Sequence, residues 1–361
     1  MLTISSTPYL ASLYGIGGLG ILMALFNRRY RLVKVLLFYL LYGLTLVINW
    51  VLIGNVSFSS IVVNVLLIGI TFIMLLRQWT YKEGRIVFYI TALFMLYSAI
   101  SRGNARRILI SSNNYVSVLM LLAVSFYYIA VDLDSRKLRT IDILPAFMCF
   151  LLAIWARGRG GILSTAVLLV LIVLIYLKKL TNKRVKRTIF VIVILFAVGV
   201  FLLIRNINLY SAFMTLGKWG TRGTDNAARI KIWGAYFSKM GESIGYILAG
   251  APLSSIPIIA AFGGNCHNSF IQLHAYNGII TFAVFFVMTI QAIVYYLKNE
   301  NYVMAAMAAV IILRGSSDKF IFGQYGMPIM LFFALYPIIA KQQNARKNPV
   351  SSLPKGQETI S

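Results

Sequence analysis

The sequence predicts an all-α polytopic membrane protein, a helix bundle of about eleven (ten to twelve) transmembrane helices with one large extracytoplasmic loop. Of the 361 residues, 60% are hydrophobic and only 12% are charged, whereas a soluble domain is about 45–50% apolar and about 25% charged. The apolar residues fall in long runs, and a bilayer core about 30 Å thick needs about 20 such residues per helix.

Eleven apolar runs are candidate spans. They are 8–26, 32–53, 56–76, 86–101, 115–131, 141–156, 160–177, 188–204, 268–297, 302–314 and 325–340. The run 268–297 is long enough to tilt or extend beyond the bilayer, and the short runs 86–101 and 302–314 are compatible with re-entrant segments. One integral membrane domain is expected, made of N-terminal membrane helices (1–204), the large loop (205–267), C-terminal membrane helices (268–340) and a disordered tail (341–361).

The basic residues set the expected orientation. The chain carries 34 Lys and Arg against 9 Asp and Glu, a net charge of +25. These residues punctuate apolar runs, which indicates lipid head groups and topology and not a nucleic-acid partner. The strongest cluster, KKLTNKRVKR at 178–187, belongs in the cytoplasm by the positive-inside rule. With eleven spans, the N-terminus then lies outside and the C-terminal tail is cytoplasmic.

The loops predicted to face outward are rich in arginine. Their arginines are Arg102, Arg106, Arg107, Arg157, Arg159, Arg205, Arg222, Arg229 and Arg314. Topology needs only positive charge, whereas bidentate recognition of phosphate or carboxylate favours arginine over lysine. Binding to lipid phosphates of the outer leaflet is the alternative for any single one.

The large loop contains NAARIKIWGAYFSKM, which predicts an amphipathic helix on the outer membrane surface. Its predicted apolar side carries Ile230, Trp233, Phe237 and Met240, and Thr224 or Asp225 is its expected cap. Arg229 and Trp233 share a face of this helix because they are four residues apart.

Both histidines fall in GGNCHNSFIQLHAYNGII at 263–280. His267 directly precedes an apolar run, with Asn268 or Ser269 as the expected helix cap, so it is placed at the outer membrane boundary. Histidine is the side chain best suited to proton transfer near neutral pH. His274 lies deeper and is expected to be a satisfied structural residue.

Two turns carry further arginines. ARGRGG at 156–161 predicts a tight turn whose glycines permit close approach to a ligand, with Arg157 and Arg159 at the lip of the bundle; a plain turn is the alternative. In SRGNARR at 101–107, Arg102 and Arg106 would share a face if helical. Acidic residues on the outer side are dispersed, so we expect no metal and no other cofactor.

These residues suggest a chemistry. Arginines would hold the diphosphate of a lipid carrier whose tail lies in the bilayer, and a neutral histidine would take a proton from an attacking sugar hydroxyl. This reaction is glycosyl transfer from a polyprenyl-diphosphate glycan.

Three stretches resemble the bacterial O-antigen polymerase and ligase superfamily of Wzy-type and ligase-type membrane glycosyltransferases. They are CHNSFIQLHAYNGII at 266–280, ARIKIWGAY at 228–236 followed by LAGAP, and ARGRGGIL at 156–163; NNYVSVLML at 113–121 is a fainter likeness. The resemblance implies an active site on the outer face of the bacterial inner membrane. Its substrate would be an undecaprenyl-diphosphate-linked oligosaccharide. A chain-length regulator and a flippase are candidate partners.

On matching positions the resemblance makes His267 the catalytic base and Arg157 and Arg229 the diphosphate ligands, with Arg159 as a second candidate. Arg102, Arg106, Asn268 and Trp233 complete the expected substrate-binding set. The favoured function is a polysaccharide polymerase. The alternatives are a ligase that transfers the finished glycan to a lipid core or other acceptor, and a flippase or exporter of lipid-linked sugars.

Overall fold

The computed structural model describes residues 6–27, 32–102, 114–156, 158–178, 187, 191, 226–323 and 325–347. Within these ranges the regular elements are helices. They are α1 (Ser6–Leu25), α2 (Val33–Leu52), α3 (Phe58–Leu76), α4 (Tyr81–Arg102), α5 (Asn114–Leu133), α6 (Leu144–Ala156), α7 (Arg159–Lys178), α8 (Asn226–Gly241), α9 (Ile244–Ala249), α10 (Pro257–Ala260), α11 (Ser269–Lys298), α12 (Tyr302–Ser316) and α13 (Met327–Lys347). Short 3-10 helices occupy Thr140–Ile143 and Leu253–Ser255.

Six of these helices are long and apolar enough to cross a membrane, namely α2, α3, α4, α5, α7 and α11. Shorter apolar helical stretches occur in α1, α6, α12 and α13. Each predicted span except 188–204 coincides with one of these helices, and 188–204 lies outside the described residues. The chain is therefore a membrane-embedded helical bundle.

Two predicted boundaries are wrong. The helix that contains the run 86–101 is longer than the run, because α4 begins at Tyr81 and has 22 residues. The first turn of α4 is polar, so a search for apolar runs does not detect it. The predicted tail does not begin at 341, since α13 continues to Lys347. Polar residues extend a helix beyond its apolar stretch wherever nothing breaks it.

Helix α12 forms the centre of the bundle, packed against α5, α7 and α11. Its side chains Met304, Met307, Val310 and Ile311 are each 0% exposed. A helix of 15 residues surrounded in this way faces protein on most sides. Its C-terminal end therefore brings Arg314 into the interior.

Helix α11 is broken at Gly278, whose φ of 69° and ψ of −177° are not helical. The Ala275 carbonyl oxygen, just before the break, accepts hydrogen bonds of 2.8 Å from the side-chain amides of Asn49 and Asn55. Irregular backbone is tolerated in a membrane bundle only when its polar groups find partners. The break divides the predicted long span into a buried segment, 269–277, and a longer membrane segment.

The segment 226–267 packs around a small second hydrophobic core, to which Ile271 and Ala275 of α11 also belong. Ile232 and Tyr236 of α8, 1% and 0% exposed, pack there with residues that include Leu253, Ile256 and Ile259. On the predicted apolar side, Trp233 and Met240 pack against this core, whereas Ile230 and Phe237 are 65% and 52% exposed. The contact of this side with the membrane surface stays a prediction. The helix carries two apolar stripes, and the following chain covers the one through Ile232. The expected caps at 224 and 225 lie outside the described residues.

Candidate functional site

His267 lies in the turn that enters α11, at one end of the bundle. Its φ is 49°, in the left-handed region, which costs an L-residue about 1–2 kcal/mol. Its backbone N–H donates to Asn265 Oδ1 over 2.8 Å, which supports this conformation. The half-buried ring meets Phe262 edge-on, with 5.3 Å between ring centroids. Strained backbone conformations of this kind cluster at functional sites.

Asn268 caps α11, as predicted, by accepting from the backbone N–H groups of Phe270 and Ile271. Its side-chain nitrogen donates to the Ser316 carbonyl oxygen over 3.1 Å. Both polar atoms of the amide therefore bind protein groups. Asn268 ties the His267 turn to the end of α12.

Helix α8 is fastened to the same turn by Trp233, whose indole N–H donates to the Cys266 carbonyl oxygen over 3.0 Å. Arg229 lies one helical turn earlier and is half-buried. The structure thus brings Arg229 and Trp233 to the end of the bundle that carries His267.

The turn between α6 and α7 reaches this end as well. A Cβ built on Gly160 would lie 2.8 Å from Ser317 Oγ and 3.6 Å from Arg314 Nη1, and one on Gly161 would lie 2.2 Å from Ser117 Oγ. These glycines are therefore needed for close approach between helices. Arg159, the first residue of α7, is half-buried beside them.

Arg314 is the residue that the site prediction omitted. It is 1% exposed, its Nη2 donates to Asp318 Oδ2 over 3.0 Å, and its Nη1 donates to Ser317 Oγ over 3.2 Å. A signal was present in the sequence, because an arginine that ends a short apolar run and precedes an acidic residue by four positions predicts a buried ion pair.

Three of the predicted site residues have no described side chain. Arg157 and Arg106 lie outside the described residues, and Arg102 is the last residue of α4, with no described side chain. Arg159, Arg229, Trp233, His267 and Asn268 are the predicted site residues that the structure brings to one end of the bundle.

His274 is a structural residue, as predicted. It is 5% exposed, its Nε2 lies 3.0 Å from the Ile247 carbonyl oxygen, and its Nδ1 lies 2.6 Å from the Tyr236 hydroxyl. Because a carbonyl can only accept, Nε2 carries the proton and Tyr236 donates to Nδ1 in the neutral ring. This pair locks α8 to α11 beneath the site.

Both cysteines are free and buried. Burial raises the pKa of Cys266 to about 12, so this thiol stays protonated beside His267. It offers no thiolate for nucleophilic attack.

The site therefore combines one half-buried imidazole with half-buried arginines around a buried ion pair. Such a group of side chains can bind an anion and accept a proton. Comparisons with known protein families and with curated proteins find no match to this chain.

Proposed function

We propose that this protein is a polysaccharide polymerase that joins lipid-linked repeat units by glycosyl transfer. The observation that carries the proposal is the grouping of His267, Arg159 and Arg229 at one end of a membrane helix bundle. The likeness of three stretches to the O-antigen polymerase and ligase superfamily supports it. The basic clusters of the remaining loops favour an outward-facing site in the bacterial inner membrane, with a cytoplasmic C-terminus.

The reaction assigns a role to each group. The carrier tail stays in the bilayer while Arg159 and Arg229 bind the diphosphate, as forked donors suit phosphate oxygens. The acceptor hydroxyl oxygen bonds to the anomeric carbon of the donor sugar as the bond between that carbon and the phosphate oxygen breaks. His267 accepts the hydroxyl proton, and polyprenyl diphosphate leaves with the bonding electron pair. Neutralisation by the arginines makes this leaving group effective.

The first experiment replaces His267 by Ala in cells and compares surface polysaccharide on gels. The variant is expected to insert at normal levels and to give single repeat units where wild type gives a polymer ladder. General-base removal lowers rates by about 10²–10⁴-fold. Lys231→Ala, an exposed change on α8, is the matched control and should keep the ladder. A full ladder from His267→Ala contradicts the assignment of the base.

The second experiment replaces Arg229 by Lys, which keeps the charge and removes the fork. We expect a shortened or absent ladder, because an ammonium cannot bind two phosphate oxygens in the bidentate geometry. Normal polymer from Arg229→Lys, at wild-type protein levels, would show that charge alone suffices at this position.

A further inference from the structure

The ion pair between Arg314 and Asp318 at the end of α12 is largely buried. Arg314 is 1% exposed and Asp318 side-chain exposure is 18%. Within the described part of the chain, Arg314 Nε has no hydrogen-bond partner. Burying a guanidinium in this way is costly, and well-packed apolar residues often serve stability as well or better. The pair therefore calls for a role other than stability.

The end of α12 and the turn after it are hydrogen-bonded to the first residues of α11. Ser316 accepts from the Asn268 side chain, and the Asp318 carbonyl oxygen accepts from Ser269 Oγ over 2.7 Å. Ser269 Oγ in turn accepts from the backbone N–H groups of Phe320 and Ile321. The residues that directly follow His267 are thus fixed by the backbone around Arg314 and Asp318.

We infer that Arg314 and Asp318 are positioning residues that fix the His267 turn in its working arrangement. Arg314 is too deeply buried to meet a lipid-linked sugar, so it acts through His267. The catalytic part of this inference rests on the proposed function; the positioning part does not.

The experiment uses the fact that the chain has two histidines. The full-length protein, purified through a tag without histidine and labelled with ¹³C at histidine Cε1, should give two ring signals in detergent. In Asp318→Asn, which keeps the shape and removes the charge, the His267 signal is expected to shift or broaden. The His274 signal should stay in place, because its partners Tyr236 and Ile247 lie on other elements. Glu242→Gln, which alters the exposed pair with Lys239, is the matched control and should move neither signal.

The activity readout is the rate of transfer from a lipid-linked repeat unit. Asp318→Asn is expected to lower kcat at least tenfold while KM stays within twofold, since a misplaced base slows chemistry more than binding. Arg314→Lys, which keeps the charge but loses the second donor group to Ser317, should give a smaller change in the same direction, and serves if Asp318→Asn fails to fold. An unchanged His267 signal in both variants overturns the inference. A shifted His267 signal in the variants, together with no sugar transfer by the wild-type protein, supports positioning and contradicts the proposed function instead.

Discussion

Gly278 is a position at which a single added methyl group should severely damage the fold. In Gly278→Ala, the new Cβ would lie 1.7 Å from the Leu248 carbonyl oxygen and 3.0 Å from Ala249 Cα. Both atoms are backbone, so no side-chain rotation relieves the overlap. The backbone angles at this position, φ 69° and ψ −177°, belong to a region that is essentially restricted to glycine.

Backbone strain and overpacking together determine how far the free energy of unfolding falls in Gly278→Ala. Backbone strain costs about 1–3 kcal/mol, and overpacking in a filled interior costs about 1–3 kcal/mol more. The free energy of unfolding should therefore fall by about 2–6 kcal/mol. Helix α9 would be pushed away from α11, which would also weaken the contacts of Asn49 and Asn55 with the broken helix.

The assay is denaturant unfolding of the purified protein in detergent, followed by tryptophan fluorescence. Gly234→Ala in α8 is the control, because a Cβ there meets nothing within 4 Å. Replacement of a glycine within a helix should stabilise it by about 0.5–1 kcal/mol. If Gly278→Ala unfolds within about 0.5 kcal/mol of wild type, the broken helix and its contact with α9 are wrong.

Three further outcomes follow from the packing. Gly69→Ala puts a Cβ 1.9 Å from the Gly17 carbonyl oxygen and should lower the free energy of unfolding by about 1–3 kcal/mol in the same assay. Gly18→Ala, with open space around the new Cβ, should not lower it measurably. Burial raises the pKa of Cys266 to about 12, so maleimide at pH 8 should label this thiol about a thousandfold more slowly than an exposed thiol. The measurement uses a variant without the other cysteine, and rapid labelling of the folded protein would contradict the burial of Cys266. Tyr236→Phe leaves the buried histidine ring of α11 without a donor and should cost about 1–3 kcal/mol; an unchanged unfolding midpoint would show that the hydroxyl contact contributes nothing.

The sequence predicted the helices well because crossing a membrane imposes a length and a composition. Asn268 as a cap and the turn between α6 and α7 were also predictable, since each depends on residues close in the chain. His274 was correctly assigned to structure from its depth in the apolar run.

Other features depend on contacts that local patterns alone do not determine. The choice between the two apolar stripes of α8 is made by residues 251–266, which fold over Ile232. The break at Gly278 is set by the approach of α9, and its local sign in the sequence is the Asn277-Gly278 pair inside the apolar run. Arg314 is among the arginines that the sequence predicts to face outward, but α12 is surrounded by other helices, and this buries Arg314.

The central claim is that this chain by itself joins sugars, and one measurement tests it directly. The purified protein is reconstituted with a polyprenyl-diphosphate oligosaccharide in vesicles without an ion gradient, nucleotide or added metal, and new glycosidic bonds and released polyprenyl diphosphate are counted. We predict equal amounts of both products from wild type and neither from His267→Ala. Movement of the lipid-linked sugar across the bilayer without any new glycosidic bond would contradict the account and identify a transporter.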